Sequence, residues 1–494
     1  MSKFDVNYKV KKILINDFSK TNLGSKLPSS DIEAVKVFNF KHSDGVLELG
    51  MGVREFTTYA ENDLNSSHYK LNTENLNAGS FNKVMYFKQY FASSGDTTHR
   101  LLIHASDTKL YLFEMFSNLN MANWVYELQF DNIPAVLDYK KDGLDSILIS
   151  STDKLVVWST GKTPYEITNV PTITSMCVHN DMLYCTIAGE NDKIWYTENL
   201  DPESVGTESD ETKYLIMEGS AGGGRKIVML KENMYVFCDY GIGRINTYAK
   251  SEPTYNQIYL TDSQICPDTV VECGDFVIFL TRDGLYKFNG TSVTKIDALK
   301  GQFKDSFNDY AVATHLKDSY YLALKLKFDD NLAVGCESLT EEDVKNNAII
   351  KLNLYDYSFE IVRGVDVKSM LSLKAGVEEK VVLTFNSGHN DVIGEICDDG
   401  MFFNGWYDRM FTTNYIIPEN MNPITIRRII IDAGQYMAIR IITENDTHQF
   451  VLKHCGVNEI EDVIQCKQFK VEIEGCQPSD YVKSIQIEYI THDK

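Results

Sequence analysis

No apolar run in this chain approaches the roughly 18 residues needed to cross a bilayer as a helix. Its opening, Met1-Ser-Lys-Phe-Asp-Val-Asn7, lacks the apolar core of a signal peptide. Neither membrane insertion nor export is expected. Cys-x-x-Cys pairs are missing too: the ten cysteines lie scattered at 177, 185, 238, 266, 273, 336, 397, 455, 466 and 476. Several, such as Cys238, sit inside apolar runs where a thiol behaves as a small hydrophobe, so a reducing compartment is expected. Basic clusters are scarce, and Lys9-Val-Lys-Lys12 is the densest. With 48 Lys and Arg against 70 Asp and Glu, the formal net charge is −22. Phosphate binding draws on clustered cations, so this balance argues against a nucleic-acid-binding surface. It suits a protein that stays soluble at high concentration, or a conduit that DNA passes without sticking. Helical periodicity is nearly absent.

What is present is a recurring hairpin: an apolar run, a polar turn, and a second run ending in an aromatic. Copies begin at Leu101, Ile147, Met182, Met234 and Phe276, and end at Phe113, Trp158, Tyr196, Tyr248 and Phe288. In the clearest, Phe276 to Phe288, Asp283-Gly284 marks the tight turn. A sixth, from Tyr320 to Tyr355, is split by an insertion. The closing aromatics suit the gaps between packed sheets. Four strands with their turns need roughly 40–50 residues, the period of a propeller blade. The expectation is an all-β chain: a β-propeller of six to eight blades with a C-terminal β-sandwich-like domain.

Three segments follow. Residues 1–52 form an N-terminal strand and hairpin segment outside the repeat, with Asp44-Gly45 as its turn. Residues 53–396 carry the period-two alternation of the propeller. After 405 the rhythm shortens, and runs at 424–431, 437–442, 449–452, 469–474 and 484–490 predict a separate sandwich over 405–494. Trp406-Tyr407 and the stretch from Pro418 to Pro423 mark the joint. Two polar insertions, 201–212 and 329–347, are expected to lie free of blade packing. Short helices are expected at 297–308 and around 338–344.

Each candidate for chemistry lacks an essential member. Ser151-Thr-Asp153-Lys-Leu-Val-Val-Trp158 resembles the Ser-x-Asp-x-Gly-x-Thr-Trp box of sialidase propellers, with Leu155 and Val157 replacing the Gly and Thr. Nothing marks Arg54, Arg244, Arg282 and Arg363 as one carboxylate-gripping cluster. Gly219-Ser-Ala-Gly-Gly-Gly-Arg-Lys226 resembles a phosphate loop, but Ile227 follows where a magnesium-holding hydroxyl is needed. His448, His454 and Cys455 have no second ligand pair for a tetrahedral metal. Asp329-Asp330-Asn331 lacks the glycine and closing glutamate of a calcium loop. Hence no catalytic, cofactor-binding or metal residue is assigned, no cofactor is expected, and the chain is not expected to be an enzyme. A propeller glycosidase remains the remotest alternative.

The N-terminal stretch, Asp17-Phe18-Ser19-Lys20-Thr21-Asn22, then Glu33-Ala34, Phe38-Asn39-Phe40 and Asp44-Gly45-Val-Leu-Glu-Leu-Gly50, resembles the opening of many tailed-phage structural proteins. A second stretch comprises Asp283-Gly-Leu-Tyr-Lys-Phe288, Val293-Thr-Lys-Ile296, Asp318-Ser-Tyr-Tyr-Leu322 and Ile350-Lys-Leu-Asn-Leu-Tyr-Asp356. It is similar to the tail hub or nozzle proteins of short-tailed phages, the podovirus packaged-DNA stabilisation family, except that Phe359 stands where that family usually has Trp. The resemblance implies a virion structural protein, made in the host cytoplasm and residing in the tail. It implies a homo-oligomeric ring, usually six-fold, against portal, adaptor or other neck and tail proteins. That ring would help retain packaged DNA and form part of its exit channel, without catalysis. The alternative is a carbohydrate- or receptor-binding propeller, a tail adhesin.

Overall fold

A computed structural model describes residues 9–18, 32–55, 57–58, 69–70, 83–91, 98–105, 109–116, 123–129, 135–141, 143–159, 162–197, 201–206, 212–247, 252–299, 309–326, 344–375, 378–386, 391–402, 405–406, 408–419 and 421–492, with side chains left aside at 55–134, 373–378, 386–392 and 401–407. The chain is all-β: the only helical elements among the described residues are two short 3-10 turns, Pro202–Ser204 and Pro267–Thr269. Six successive four-stranded antiparallel sheets follow one another over 83–129, 136–168, 173–216, 224–260, 271–296 and 312–363. We number them blades 1 to 6. Blade 7 is built from Asp366–Ala375, Glu378–Asn386 and Asp391–Cys397, and is completed by Gly52–Glu55 from the other end of the chain. Contacts between innermost strands run from blade 2 in order to blade 7, and blade 7 meets blade 1. The architecture is a seven-bladed β-propeller.

Second strands read as unbroken apolar runs because a neighbouring blade covers each of their faces. In Asn233–Cys238 of blade 4, Tyr235 and Phe237 point into the cluster shared with blade 5, while Val236 and Cys238 point into that shared with blade 3. Outermost strands have one wet face and alternate, as Thr254–Leu260 does. Of the closing aromatics, Trp158, Tyr196 and Phe288 are buried between blades, at 5%, 5% and 1% exposure. Tyr355 is not: it is 79% exposed, beyond the end of its strand Ala348–Asn353, with its hydroxyl 3.0 Å from Asp318. Phe113 and Tyr248 lie outside the described side chains, as does most of the 297–308 helix expectation and all but the last residue of 338–344.

The second domain is a β-sandwich. One sheet aligns Lys11–Ile15, Val482–Thr491, Ile424–Ala433 and Gly456–Cys466, with the hairpin Phe40–Ser43 and Val46–Leu49 joining at the far end of the second strand. The other sheet runs Ala34–Phe38, Arg409–Thr413, Phe469–Gly475, Ala438–Thr443, Thr447–Val451. Their inner faces share one core of Ile426, Ile429, Ile431, Ile439, Ile441, Val471, Ile473, Ile485 and Ile487. Residues 1–52 are therefore no segment apart: every described strand up to Leu49 pairs within the sandwich, and Gly52–Glu55 pairs with blade 7. Gly405–Trp406 pairs in the blade 7 sheet, so the sandwich's own strands resume at Arg409.

The insertion at 201–212 is not free of packing either. Val205 is buried in the core between blades 2 and 3, and Glu203 accepts hydrogen bonds from Tyr139, Lys141 and Tyr165 of blade 2. Burial alone would push the Glu203 carboxyl up, yet these donors together hold it below the usual carboxylate range. A carboxylate lowered in the folded state stabilises above its unfolded pKa and loses that contribution as pH falls through the folded value. Glu203→Gln is accordingly expected to lower the unfolding midpoint at neutral pH and to narrow its gap from wild type on acidification. A constant gap down to pH 3 would remove Glu203 from that role. Of the second insertion, 329–343 lies outside the described residues, but its end is packed as well: Asn346 is fully buried, and its side chain donates to Tyr310 O at 2.9 Å and to Val367 O at 2.7 Å.

Candidate assembly surface

The motifs with a chemical look are taken up by the scaffold. Asp153 adopts φ 57° in the two-residue turn between Leu144–Ser151 and Lys154–Ser159, and its carbonyl accepts from Val170 N–H at 3.3 Å. The Ser151–Trp158 stretch is a blade hairpin. In the glycine loop an anion already sits against the backbone, and it is the protein's own. Asp239 Oδ2 accepts from Gly223 N–H at 2.8 Å, and Asp239 Oδ1 accepts from Arg225 Nε at 2.7 Å. Side chains placed at Gly222 or Gly223 would lie 2.8 Å and 2.6 Å from the Cβ atoms of Asp239 and Asn191, which is why small residues stand there.

The four arginines are spread over blades 4, 5, 6 and 7, each with its own neighbours. Arg244 donates to Asn233, Arg282 to Gln264 at 3.5 Å, and Arg54 to Glu395 at 2.5 Å, while Arg363 lies 4.7 Å over the Phe38 ring. His448 is 3.8 Å from Asp462, and the Cys455 thiol is 3.4 Å from the Tyr481 hydroxyl. No group of three or more His, Cys, Asp or Glu side chains disposed to hold a metal occurs among the described residues. Asp329-Asp330-Asn331 falls outside them.

The polar groups that do converge in the interior join the two domains. Asn39 is 3% exposed and left-handed, at φ 59°. Its N–H donates to Ile361 O at 2.8 Å, and its side-chain Oδ1 accepts from Arg363 N–H at 2.9 Å, both on the outermost strand of blade 6. Its Nδ2 donates to Asp408 O at 2.8 Å, and its own carbonyl accepts from Gly50 N–H at 3.1 Å. One residue thus ties blade 6, the entry to Arg409–Thr413 and the exit of the N-terminal hairpin. Gly50 is obligatory beside it, because a Cβ there would sit 2.9 Å from the carbonyl carbon and oxygen of Asn39. Close by, Arg409 Nη1 meets Asp480 Oδ2 at 3.2 Å, with the two side chains 1% and 0% exposed. Arg409 also donates to Gln477 O and to Gly400 O, each at 3.2 Å, reaching from the sandwich to the end of blade 7. Burial pushes the Asp480 carboxyl up and the Arg409 guanidinium down, so each charge persists through the other.

Among the described residues, two exposed regions bear on assembly. On the propeller rim, Tyr214 and Ile216 of blade 3 and Ile258 and Leu260 of blade 4 project from adjacent outermost strands, at 53%, 56%, 39% and 47% exposure. On the sandwich, the first sheet ends in two unlike edges. The 11-residue strand Gly456–Cys466 presents Val457, Glu459, Glu461 and Val463 to solvent. At the opposite edge, Lys11–Ile15 and the residues before it present Lys9, Val10, Lys12 and Leu14. Composition concealed the longer edge strand, because its wet face is acidic and it has neighbours on one side only.

No family model matches the chain. No curated protein matches it either. Among solved structures it is similar in fold to the N-terminal domain of Nup159, at 10% identity over 77% of this chain and 98% of that one, with a TM-score of 0.38. It is likewise similar to the AfRom2 CNH domain, at 10% identity over 64% of this chain and 94% of that one, TM-score 0.36. Kluyveromyces lactis Hsv2 matches at 9% identity over 57% of this chain and 97% of that one, TM-score 0.31.

Proposed function

We propose that this chain is a bacteriophage virion structural protein, a tail hub or nozzle ring that helps retain packaged DNA and forms part of its exit channel. The observation that carries the reading is the joint. Among the residues that resemble tailed-phage proteins, Asn39 and Gly50 sit at the contact of propeller and sandwich, with Asn39 bonded to both. The resemblance therefore rests on residues with an architectural task. The net charge of −22 supports passage of DNA without arrest, since each cation neutralising a phosphate would add counterion-release energy to a static contact. Carboxylates repel the duplex instead, over the roughly 8–10 Å Debye length of physiological salt.

Reconstruction of the particle containing this chain tests the proposal. A ring on the tail axis, in contact with portal, adaptor or other tail proteins, is the expected result; a peripheral single-copy position would overturn it. Duplex DNA should not bind the purified protein with submicromolar affinity at physiological salt.

The exposed Tyr214, Ile216, Ile258 and Leu260 favour a second reading, a carbohydrate- or receptor-binding propeller. Glycan-array binding that is lost in Tyr214→Ala would select it.

A further inference from the structure

The two edges of the sandwich's first sheet that no described strand pairs with match each other in direction, level and charge. We propose that they pair between neighbouring copies, so that Lys11–Ile15 of one protomer adds to Gly456–Cys466 of the next and the ring is closed by a continuous intersubunit β-sheet. The inference rests on the ring reading above and names its interface.

Direction comes first. The row Lys11–Ile15, Val482–Thr491, Ile424–Ala433, Gly456–Cys466 contains four strands, each antiparallel to the next. Its first and last strands are therefore antiparallel to one another. Rotation about an axis roughly along the strands preserves their direction, so it brings the first strand of one copy beside the last of another in antiparallel pairing. Such an interface is head-to-tail, and repeated rotation closes it into a ring.

The register supplies the second match. Lys12 is paired with Glu488, Glu488 with Arg428, and Arg428 with Glu461. One level of the outer face thus reads positive, negative, positive, negative across the whole sheet. Two of its contacts are ion pairs: Lys12 Nζ lies 2.9 Å from Glu488 Oε1, and Arg428 Nη1 lies 3.9 Å from Glu488 Oε2. With no stagger between copies, Glu461 faces Lys12 of the next protomer, and the alternation continues around the ring. The adjacent inward level reads Ile13, Ile487, Ile429, Ile460, and it continues as Ile460 against Ile13. Opposite charges and apolar pairs directly across a sheet are the stabilising cross-strand combinations.

The edge itself is the third observation. Gly456–Cys466 contains no proline, and among the described residues nothing pairs with its outer side; the same holds for Lys11–Ile15. An unpaired strand edge is what soluble β-proteins otherwise cover or break.

The test uses the full chain with the exposed Cys455 and Cys476 changed to Ser. Leu14 and Glu459 share a level through Gln486 and Ile430. Leu14→Cys combined with Glu459→Cys is expected to give, on mild oxidation, a ladder of disulfide-linked oligomers that ends at a closed species; neither single variant should do so. Adding Lys12→Glu should lower the ladder yield about tenfold per interface, by setting like charges opposite each other. Without engineered cysteines, Lys12→Glu and Glu461→Lys should each associate less than wild type, and their equimolar mixture should regain association, since alternation restores every pair. No ladder up to the solubility limit, a ladder equal in the single variants, or a ladder indifferent to Lys12→Glu would overturn the interface. A tail-axis ring with Leu14 far from the neighbour's Glu459 sinks this inference alone. Edge-paired rings in solution, with the chain absent from virions, sink the virion reading alone.

Discussion

Asn39→Ala is expected to destabilise the folded chain by about 3–5 kcal/mol. Two costs add. The substitution orphans the buried Arg363 N–H, at about 1–3 kcal/mol, and the Asp408 carbonyl, which lies on an exposed residue that water can reach and adds less. It also leaves a Cβ-bearing residue at φ 59° without the local bonding that lets asparagine visit that region, at about 1–2 kcal/mol. Asn39→Gly separates the two, since glycine adopts the backbone freely but restores neither bond, and it should fall between wild type and Ala. Asn39→Asp keeps the acceptor for Arg363 and loses the donor to Asp408, so it also belongs in between. Urea midpoints read by tryptophan fluorescence and by limited proteolysis would rank the series. An Ala variant within 1 kcal/mol of wild type would mean the joint does not depend on this residue.

Breaking the Arg409–Asp480 pair is the second large effect. Removing either partner leaves a charge uncompensated at 1% or 0% exposure, a loss of about 3–5 kcal/mol. Arg409→Met should be the worse, because it also frees the carbonyls of Gln477 and Gly400. Asp480→Asn keeps some hydrogen bonding to Arg409 and to Gln477 N–H and should cost less. The double variant Arg409→Met with Asp480→Asn should be less destabilised than the two singles added, because no unpaired charge remains. Strict additivity would show that the two side chains act independently. The first readout should be proteolysis between propeller and sandwich, since Gly400 belongs to one and Arg409 to the other.

The propeller was legible in sequence because burial on both faces forces unbroken apolar runs such as Ile147-Leu-Ile149, and these recur at blade spacing. The blade that closes the ring was less so. Gly52–Glu55 is four residues long, and its partner Asp391–Cys397 lies more than 300 positions away, so local pattern carries no sign of the pairing. The sandwich was readable where its strands are central, as in Ile424–Ala433, and missed where Gly456–Cys466 lies at an edge and alternates with acids. Asn39 and Gly50 were noticed as a pattern of residue types; their mutual dependence needed the 2.9 Å approach that only three dimensions reveal. Tyr355 shows the opposite failure, an aromatic read as closing the repeat that an insertion splits, which instead protrudes from the turn after its strand.

Because Lys11–Ile15 and Gly52–Glu55 find their partners at 485–489 and 394–397, these two strands wait for more than 300 further residues to be made before they are paired. At roughly 5–20 residues per second, a chain of this length holds them unpaired for on the order of a minute of translation. The propeller can complete its blades once Asp391–Cys397 has emerged, but the edge formed by Lys11–Ile15 does not exist as a strand edge until Val482–Thr491 has emerged. If copies pair through this edge as proposed, that pairing waits for Val482–Thr491 to be made, an order set by chain connectivity alone.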